Sequence, residues 1–202
     1  MVINYPNGEK FQKATSAQPS LTKKVNYGNR GMSLEQEINK TNQYYRERGI
    51  AVIHKKPIPI QIVNVDYPKR SAAVIKEAYF RQASTTDYNG VYKSHYLDFE
   101  AKETKNKTSF PLNNFHEHQI DHMKACQQQG GICFTIIKFS LTQEIYLVPA
   151  EIIFEYWDRR FKERKSIPKS IIQEAGYFIN YKIQPLIPYL NIVDHLISQR
   201  QK

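Results

Sequence analysis

Two acids and a lysine form the pattern with the most chemistry in this chain. Glu100 and Lys102 stand two apart in Tyr96-Leu97-Asp98-Phe99-Glu100-Ala101-Lys102, and Asp87 lies a short distance upstream. Read as a strand, this stretch sends Leu97, Phe99 and Ala101 to one face and Asp98, Glu100 and Lys102 to the other, because strand side chains alternate. Charges on a sheet packed inside a domain must be paired, solvated or bound to metal, so the acidic face is a candidate metal site. A D…E-x-K constellation supplies what phosphodiester hydrolysis needs. Hard carboxylate oxygens hold a divalent cation, the cation polarises a phosphoryl oxygen and lowers the pKa of a bound water, and a nearby ammonium orients that water or offsets developing charge. Glu103-Thr104-Lys105 repeats E-x-K. Its side chains fall on the opposite face from Glu100, and the apolar alternation favours the first copy. On spacing and charge alone the pattern also fits acids that are merely structural.

The elements that must position these residues are partly legible. Ser33 as N-cap and Gln36 three residues later form a capping box ahead of a helix over about 34–47, with Leu34, Ile38 and Tyr45 at helical spacing. Glu35 and Glu37 fall in its first turn, where the helix dipole favours them, and Glu35 is an auxiliary candidate for the metal site. Residues 50–53 and 60–65 read as strands. Residues 84–92 and 96–102 read as two more, closing either around Lys93-Ser94-His95 or at Asn89-Gly90. Residues 72–80 fit a short amphipathic helix or an extended ribbon equally well. A helix begins near Asn114 and stops at Gly130-Gly131, and it places Gln119 in an apolar stripe with Phe115 and Met123. A buried amide needs partners, so Gln119 bonds the backbone or reaches the acidic face. Residues 132–139 and 144–148 read as a strand pair, a helix follows over about 150–161, and the tail reads as short helices and loops covering the sheet.

With 29 Lys+Arg against 19 Asp+Glu, the net charge of +10 over 202 residues favours a polyanionic partner, nucleic acid foremost, through phosphate contacts and counterion release. No apolar run of about 18 residues and no signal-peptide pattern is present, so a soluble, cytoplasmic protein without a membrane partner is expected. Residues 1–30 read as a flexible basic arm and 31–202 as a single domain. Lys69, Arg70, Lys76 and Arg81 interleave with Tyr67, Tyr79 and Phe80, a composition that suits a projection touching phosphates and bases or, equally, core aromatics beneath solvated charges. Cys126 and Cys133 lack paired zinc-ligand spacing and read as buried thiols.

Several long strings carry a resemblance. Asn29-Arg30-Gly31-Met32, Ala51-Val52-Ile53-His54-Lys55-Lys56-Pro57, Tyr67-Pro68-Lys69-Arg70-Ser71, Glu77-Ala78-Tyr79-Phe80, Ser84-Thr85-Thr86-Asp87-Tyr88 and Asp98 to Lys105 are similar to the RecU family of Holliday junction resolvases. The resemblance implies an α/β, restriction-endonuclease-like core, a mixed central sheet flanked by helices, with a stalk inserted at about 66–82. It further implies a homodimeric Mg²⁺-dependent endonuclease, with Mn²⁺ as a candidate substitute, that cuts four-way junction DNA in recombination and repair. Carried across residue by residue, the metal site falls on Thr85, Asp87, Glu100 and Gln119, with Lys102 stabilising the transition state. Arg30, Lys55, Lys56, Arg70, Lys76 and Phe80 become candidate DNA contacts. The family is also associated with the RecA recombinase and, as a DNA-acting protein, with the nucleoid. Two other readings stay open from sequence: a nuclease of the same fold acting on duplex DNA, and a non-catalytic DNA-binding or recombinase-modulating protein.

Overall fold

Alternation along one central strand divides the molecule into two layers. In the computed structural model, which describes residues 32–69, 72–81 and 85–200, β5 (His95–Thr104) buries Leu97 and Phe99 in one hydrophobic core and turns Asp98, Glu100 and Lys102 to the other side. The first core is closed by α1 (Leu34–Glu47) and α5 (Leu190–Arg200). The second lies under α2 (Glu117–Gln128), α3 (Ala150–Arg159) and α4 (Lys169–Ala175). Between them runs a six-stranded mixed sheet in the order β1-β4-β5-β7-β8-β10, where β1 is Val52–Lys55, β4 Tyr88–Tyr92, β7 Ile132–Phe139, β8 Glu144–Pro149 and β10 Tyr177–Phe178. Among the described residues only β5 and β7 pair in parallel. A parallel pair needs a crossover, and α2 supplies it, which carries that helix over the acidic face of β5.

Aromatic stacking fixes the strand register. Tyr88 and Phe99 are cross-strand partners and their rings stack at 4.9 Å; Phe99 and Phe134 are partners on the next strand pair and stack at 4.7 Å. Both α1 and its capping box occur as the sequence predicts, with Gln36 N–H donating to Ser33 Oγ at 3.3 Å and Ser33 N–H to Gln36 Oε1 at 3.1 Å.

The β4–β5 hairpin closes through Lys93 and Ser94, at φ 47° and 64°, the two positive angles of a tight primed turn. Lysine and serine are poor residues for such a turn. Here α5 holds it in place, since Asp194 accepts from Lys93 Nζ at 2.6 Å and from Tyr92 OH at 3.1 Å. Asn89-Gly90 is therefore not a turn but mid-strand. Gly90 pairs with Ile53 of β1, and a Cβ there would sit 2.6 Å from Ile53 Cα and closer still to the Val52 carbonyl oxygen.

Within residues 72–80, Val74–Phe80 forms a strand and not a helix. β3 (Val74–Phe80) pairs antiparallel with β2 (Ile60–Asp66) to form a separate two-stranded ribbon, bulged around Val63, with every residue exposed except the half-buried Val65. The ribbon thus begins at Ile60, before the 66–82 segment expected from sequence. Short strands β6 (Ser109–Pro111) and β9 (Ser166–Pro168) pair with each other, and α2 starts at Glu117 after a 3₁₀ turn over Leu112–Asn114. Glu37, expected only to favour the helix dipole, is buried and holds the equally buried Lys138 at 2.9 Å and the Tyr181 hydroxyl at 2.8 Å.

Gly90→Ala is expected to destabilise the fold by about 2–4 kcal/mol, because backbone, not a flexible side chain, occupies the space its methyl would need. Chemical denaturation checks this; an unchanged midpoint would show that β1 yields freely.

Candidate functional site

The register that stacks Tyr88 on Phe99 also sets Asp87, one residue before Tyr88, beside Glu100, one residue after Phe99. The Asp87 backbone N–H donates to Glu100 Oε1 at 3.0 Å. Glu100 itself is fully buried. Its second oxygen, Oε2, lies 2.9 Å from Lys102 Nζ but off-line for a hydrogen bond, and it has no hydrogen-bond partner. Lys102 is steadied by the Phe115 ring, whose centroid is 5.9 Å from Nζ. Burial raises the Glu100 carboxyl to a pKa of about 8; the Lys102 ammonium pulls it down and the Asp87 charge pushes it up, and burial outweighs the ammonium. Two acids, one of them fully buried, face a single lysine here, so the site is short of positive charge. Asp87 and Glu100 therefore fit a hard divalent cation, to which they would offer oxygen ligands.

Gln119 is buried above this face, but its Oε1 accepts from the His116 N–H at 3.0 Å, closing a capping box on α2. Of the two partners open to it from sequence it takes the backbone, and one carbonyl lone pair remains. Thr85 is half-buried, its hydroxyl donating to the Thr86 carbonyl at 3.3 Å. Burial, reinforced by His116 and Lys102, lowers the pKa of His118 on α2, while Asp121 and Asp87 act in the opposite sense.

Asp98 shares the strand face with Glu100 and has a different environment. Thr86 Oγ1 donates to its Oδ1, and Lys56 Nζ at 3.0 Å, Tyr96 OH at 2.9 Å and His122 Nε2 at 3.2 Å surround Oδ2. Lys56 also donates to Thr86 Oγ1 at 2.9 Å, and its backbone N–H donates to the Asp87 carbonyl at 2.7 Å. Lys56, a candidate DNA contact from sequence, directs its ammonium inward as the counter-ion of a buried carboxylate. Sequence reasoning missed the cluster because Lys56, Thr86, Asp98 and His122 come together only through the sheet and the α2 crossover.

The remaining candidates are dispersed. Glu35, the auxiliary metal candidate, is exposed and engaged by Lys55 Nζ at 2.6 Å. Lys76 pairs with Asp66 at 2.7 Å on the ribbon, and Phe80 at its base partner Ile60 is 81% exposed. Arg30 and Arg70 lie outside the described residues, as does the expected basic arm.

The Glu100 assignment has a thermodynamic signature. A carboxyl whose folded pKa exceeds its unfolded value contributes stability that is complete below the unfolded value and lost as pH rises through the folded one. In chelator, the stability of Glu100→Gln relative to the parent chain should grow between about pH 4.5 and pH 8, by up to several kcal/mol. A pH-independent difference in denaturation midpoints would show that Glu100 is ionised throughout.

Comparison with known proteins places the chain in a family. The family model RecU, Recombination protein U, matches residues 29–195. A protein named Holliday junction resolvase RecU from Ligilactobacillus salivarius is 64% identical, over 98% of this chain and 99% of that one. Proteins of the same name from Lactiplantibacillus plantarum (59%, covering 98% of each chain) and a Geobacillus species (57%, covering 96% of this chain and 97% of that one) are similar along nearly the same span. A solved structure of Archaeoglobus fulgidus Hjc, a Holliday junction resolvase, aligns with a TM-score of 0.40 at 10% identity, covering 70% of this chain and 94% of that one, a likeness too remote to add to the argument. A family match across most of the chain and this level of identity along its whole length lead to one conclusion: the chain belongs to the RecU family.

Proposed function

We propose that this protein is a metal-dependent endodeoxyribonuclease that resolves four-way DNA junctions, with its chemistry at Asp87, Glu100 and Lys102. The observation that carries the reading is the buried Glu100 carboxylate, with Oε2 unpartnered by hydrogen bonds and Asp87 and Lys102 beside it. The names of the relatives supply the substrate class. Asp87 and Glu100, joined by Thr85 and the free lone pair of Gln119, form an all-oxygen set suited to Mg²⁺, with Mn²⁺ as a substitute. When bound, such an ion supplies Lewis acidity at the phosphoryl oxygen and a water of lowered pKa.

The chain's own groups do the positioning. Glu100 is fixed by the Asp87 N–H, so one carboxylate oxygen is oriented before any ligand arrives. Lys102, 2.9 Å from the other oxygen, is placed to orient the attacking water or to donate to a non-bridging phosphate oxygen as charge develops. Water attacks phosphorus, the P–O3′ bond breaks, and the 3′-oxygen leaves. The exposed ribbon, with Lys76 and Phe80, offers charge and an aromatic surface to the junction, together with Arg30, Lys55 and Arg70. A four-way junction has approximate two-fold symmetry, so a homodimer matches paired cuts on opposed strands. A basic arm leading into one nuclease domain, an association with the RecA recombinase, and a cytoplasmic, nucleoid-associated location complete the reading. Among the described residues no helix is long and apolar enough to cross a membrane.

Asp87→Asn and Glu100→Gln should each abolish Mg²⁺-dependent cleavage of a synthetic four-way junction while leaving junction binding in Ca²⁺ largely intact; cleavage retained by both would overturn the assignment. Lys102→Ala should lower the single-turnover rate on the order of 10² or more with a smaller loss of binding. A normal rate would remove Lys102 from the chemistry. Linear duplex cut as readily as the junction at matched salt would replace the substrate.

A further inference from the structure

One strand repeat from Glu100, Asp98 anchors a second cluster that the proposed nuclease chemistry does not use. His122 and Cys126 lie one turn apart on α2 and share a face. His122 Nε2 is 3.2 Å from Asp98 Oδ2 and 3.5 Å from Cys126 Sγ, and one ligand atom from each of the three residues lies within 4.8 Å of the others. Lys56 Nζ sits among them, 3.0 Å from Asp98 Oδ2 and 3.4 Å from His122 Nε2. An ammonium carries donors only, so Asp98 Oδ2 directs a lone pair at it, while His122 Nε2, within reach of both Oδ2 and Nζ, accepts from the ammonium in the tautomer that carries its proton on Nδ1. The fold has built a cation position there and filled it with a side chain. A cavity of about 600 Å³ lined by Tyr96, His122, Cys126 and Gln129 opens onto the cluster and gives an ion and a water a way in.

The donor set differs in kind from that at Glu100. One carboxylate oxygen, one imidazole nitrogen and one sulfur, with water as a fourth ligand, suit a tetrahedral borderline-soft cation and not Mg²⁺, which prefers six oxygens. We propose that Asp98, His122 and Cys126 form a second metal site, specific for zinc-like cations and separate from the Glu100 centre, in which the ion takes the place of the Lys56 ammonium. Charge balances on exchange: the dication replaces the lysine cation and the thiol proton, which leaves to solvent as thiolate forms. Lys56 is partly exposed, 18% of its side chain, so it can swing toward water when displaced.

Cobalt(II), a spectroscopic stand-in for zinc, tests this on the full chain. Stoichiometric Co²⁺ in the presence of excess Mg²⁺ should give a thiolate-to-cobalt charge-transfer band and the intense visible bands of a tetrahedral site. Both should disappear in Cys126→Ser and in His122→Gln, persist in Glu100→Gln, and be bleached by one equivalent of Zn²⁺. Absence of the thiolate band would overturn the proposal. So would a band that survives Cys126→Ser, which would assign it to Cys133, or one lost in Glu100→Gln, which would place the ion in the nuclease centre.

Discussion

Tyr88 opposite Phe99 is the pairing on which the candidate site rests. Their stacked rings, continued onto Phe134, bury a run of aromatic surface in the core on one side of the sheet. Because strand side chains alternate, that choice also settles what reaches the other side. Asp87 and Glu100 flank the ladder and meet across the strand pair. A slip of one residue in β5 would turn Glu100 into the apolar core, and a slip in β4 would carry Asp87 off the acidic face. Aromatic packing on the face remote from the chemistry thus sets the alignment on which the chemistry depends, and the Asp194 clamp on the Lys93-Ser94 turn holds the same register from the hairpin's far end.

Two carboxylates two residues apart on one strand then meet opposite fates. Asp98 is surrounded by a lysine, a tyrosine, a threonine and a histidine, so its burial is compensated within the protein. Glu100, equally buried, is left with an oxygen lacking a hydrogen bond and a carboxyl held up at about 8. The cost of that shortage is borne by the fold, a common trade at sites shaped for a ligand. The two clusters are also joined mechanically, since Lys56 pairs with Asp98 through its ammonium and with Asp87 through its backbone N–H.

Local patterns were readable from sequence. Period-two alternation placed Glu100 and Lys102 on one face of β5, the Ser33/Gln36 box marked the start of α1, and the apolar run at 132–139 marked β7. Gln119's odd place in an apolar stripe correctly signalled a buried amide. What could not be read depends on partners distant in the chain. Gly90 looked like a turn residue because its real constraint, the β1 backbone, lies nearly forty residues earlier. Glu37 looked like a dipole partner until Lys138 and Tyr181 folded onto it. The pairing of Lys56 with Asp98 was out of reach of sequence for the same reason. The ribbon was ambiguous because, with both faces exposed, β3 shows no clear amphipathic period.

Anomalous diffraction from crystals soaked in Mn²⁺ tests the central claim most directly. The account predicts a peak bonded to Glu100 Oε2 and the Asp87 carboxylate. Manganese beside Asp98 with none at Glu100 would contradict it.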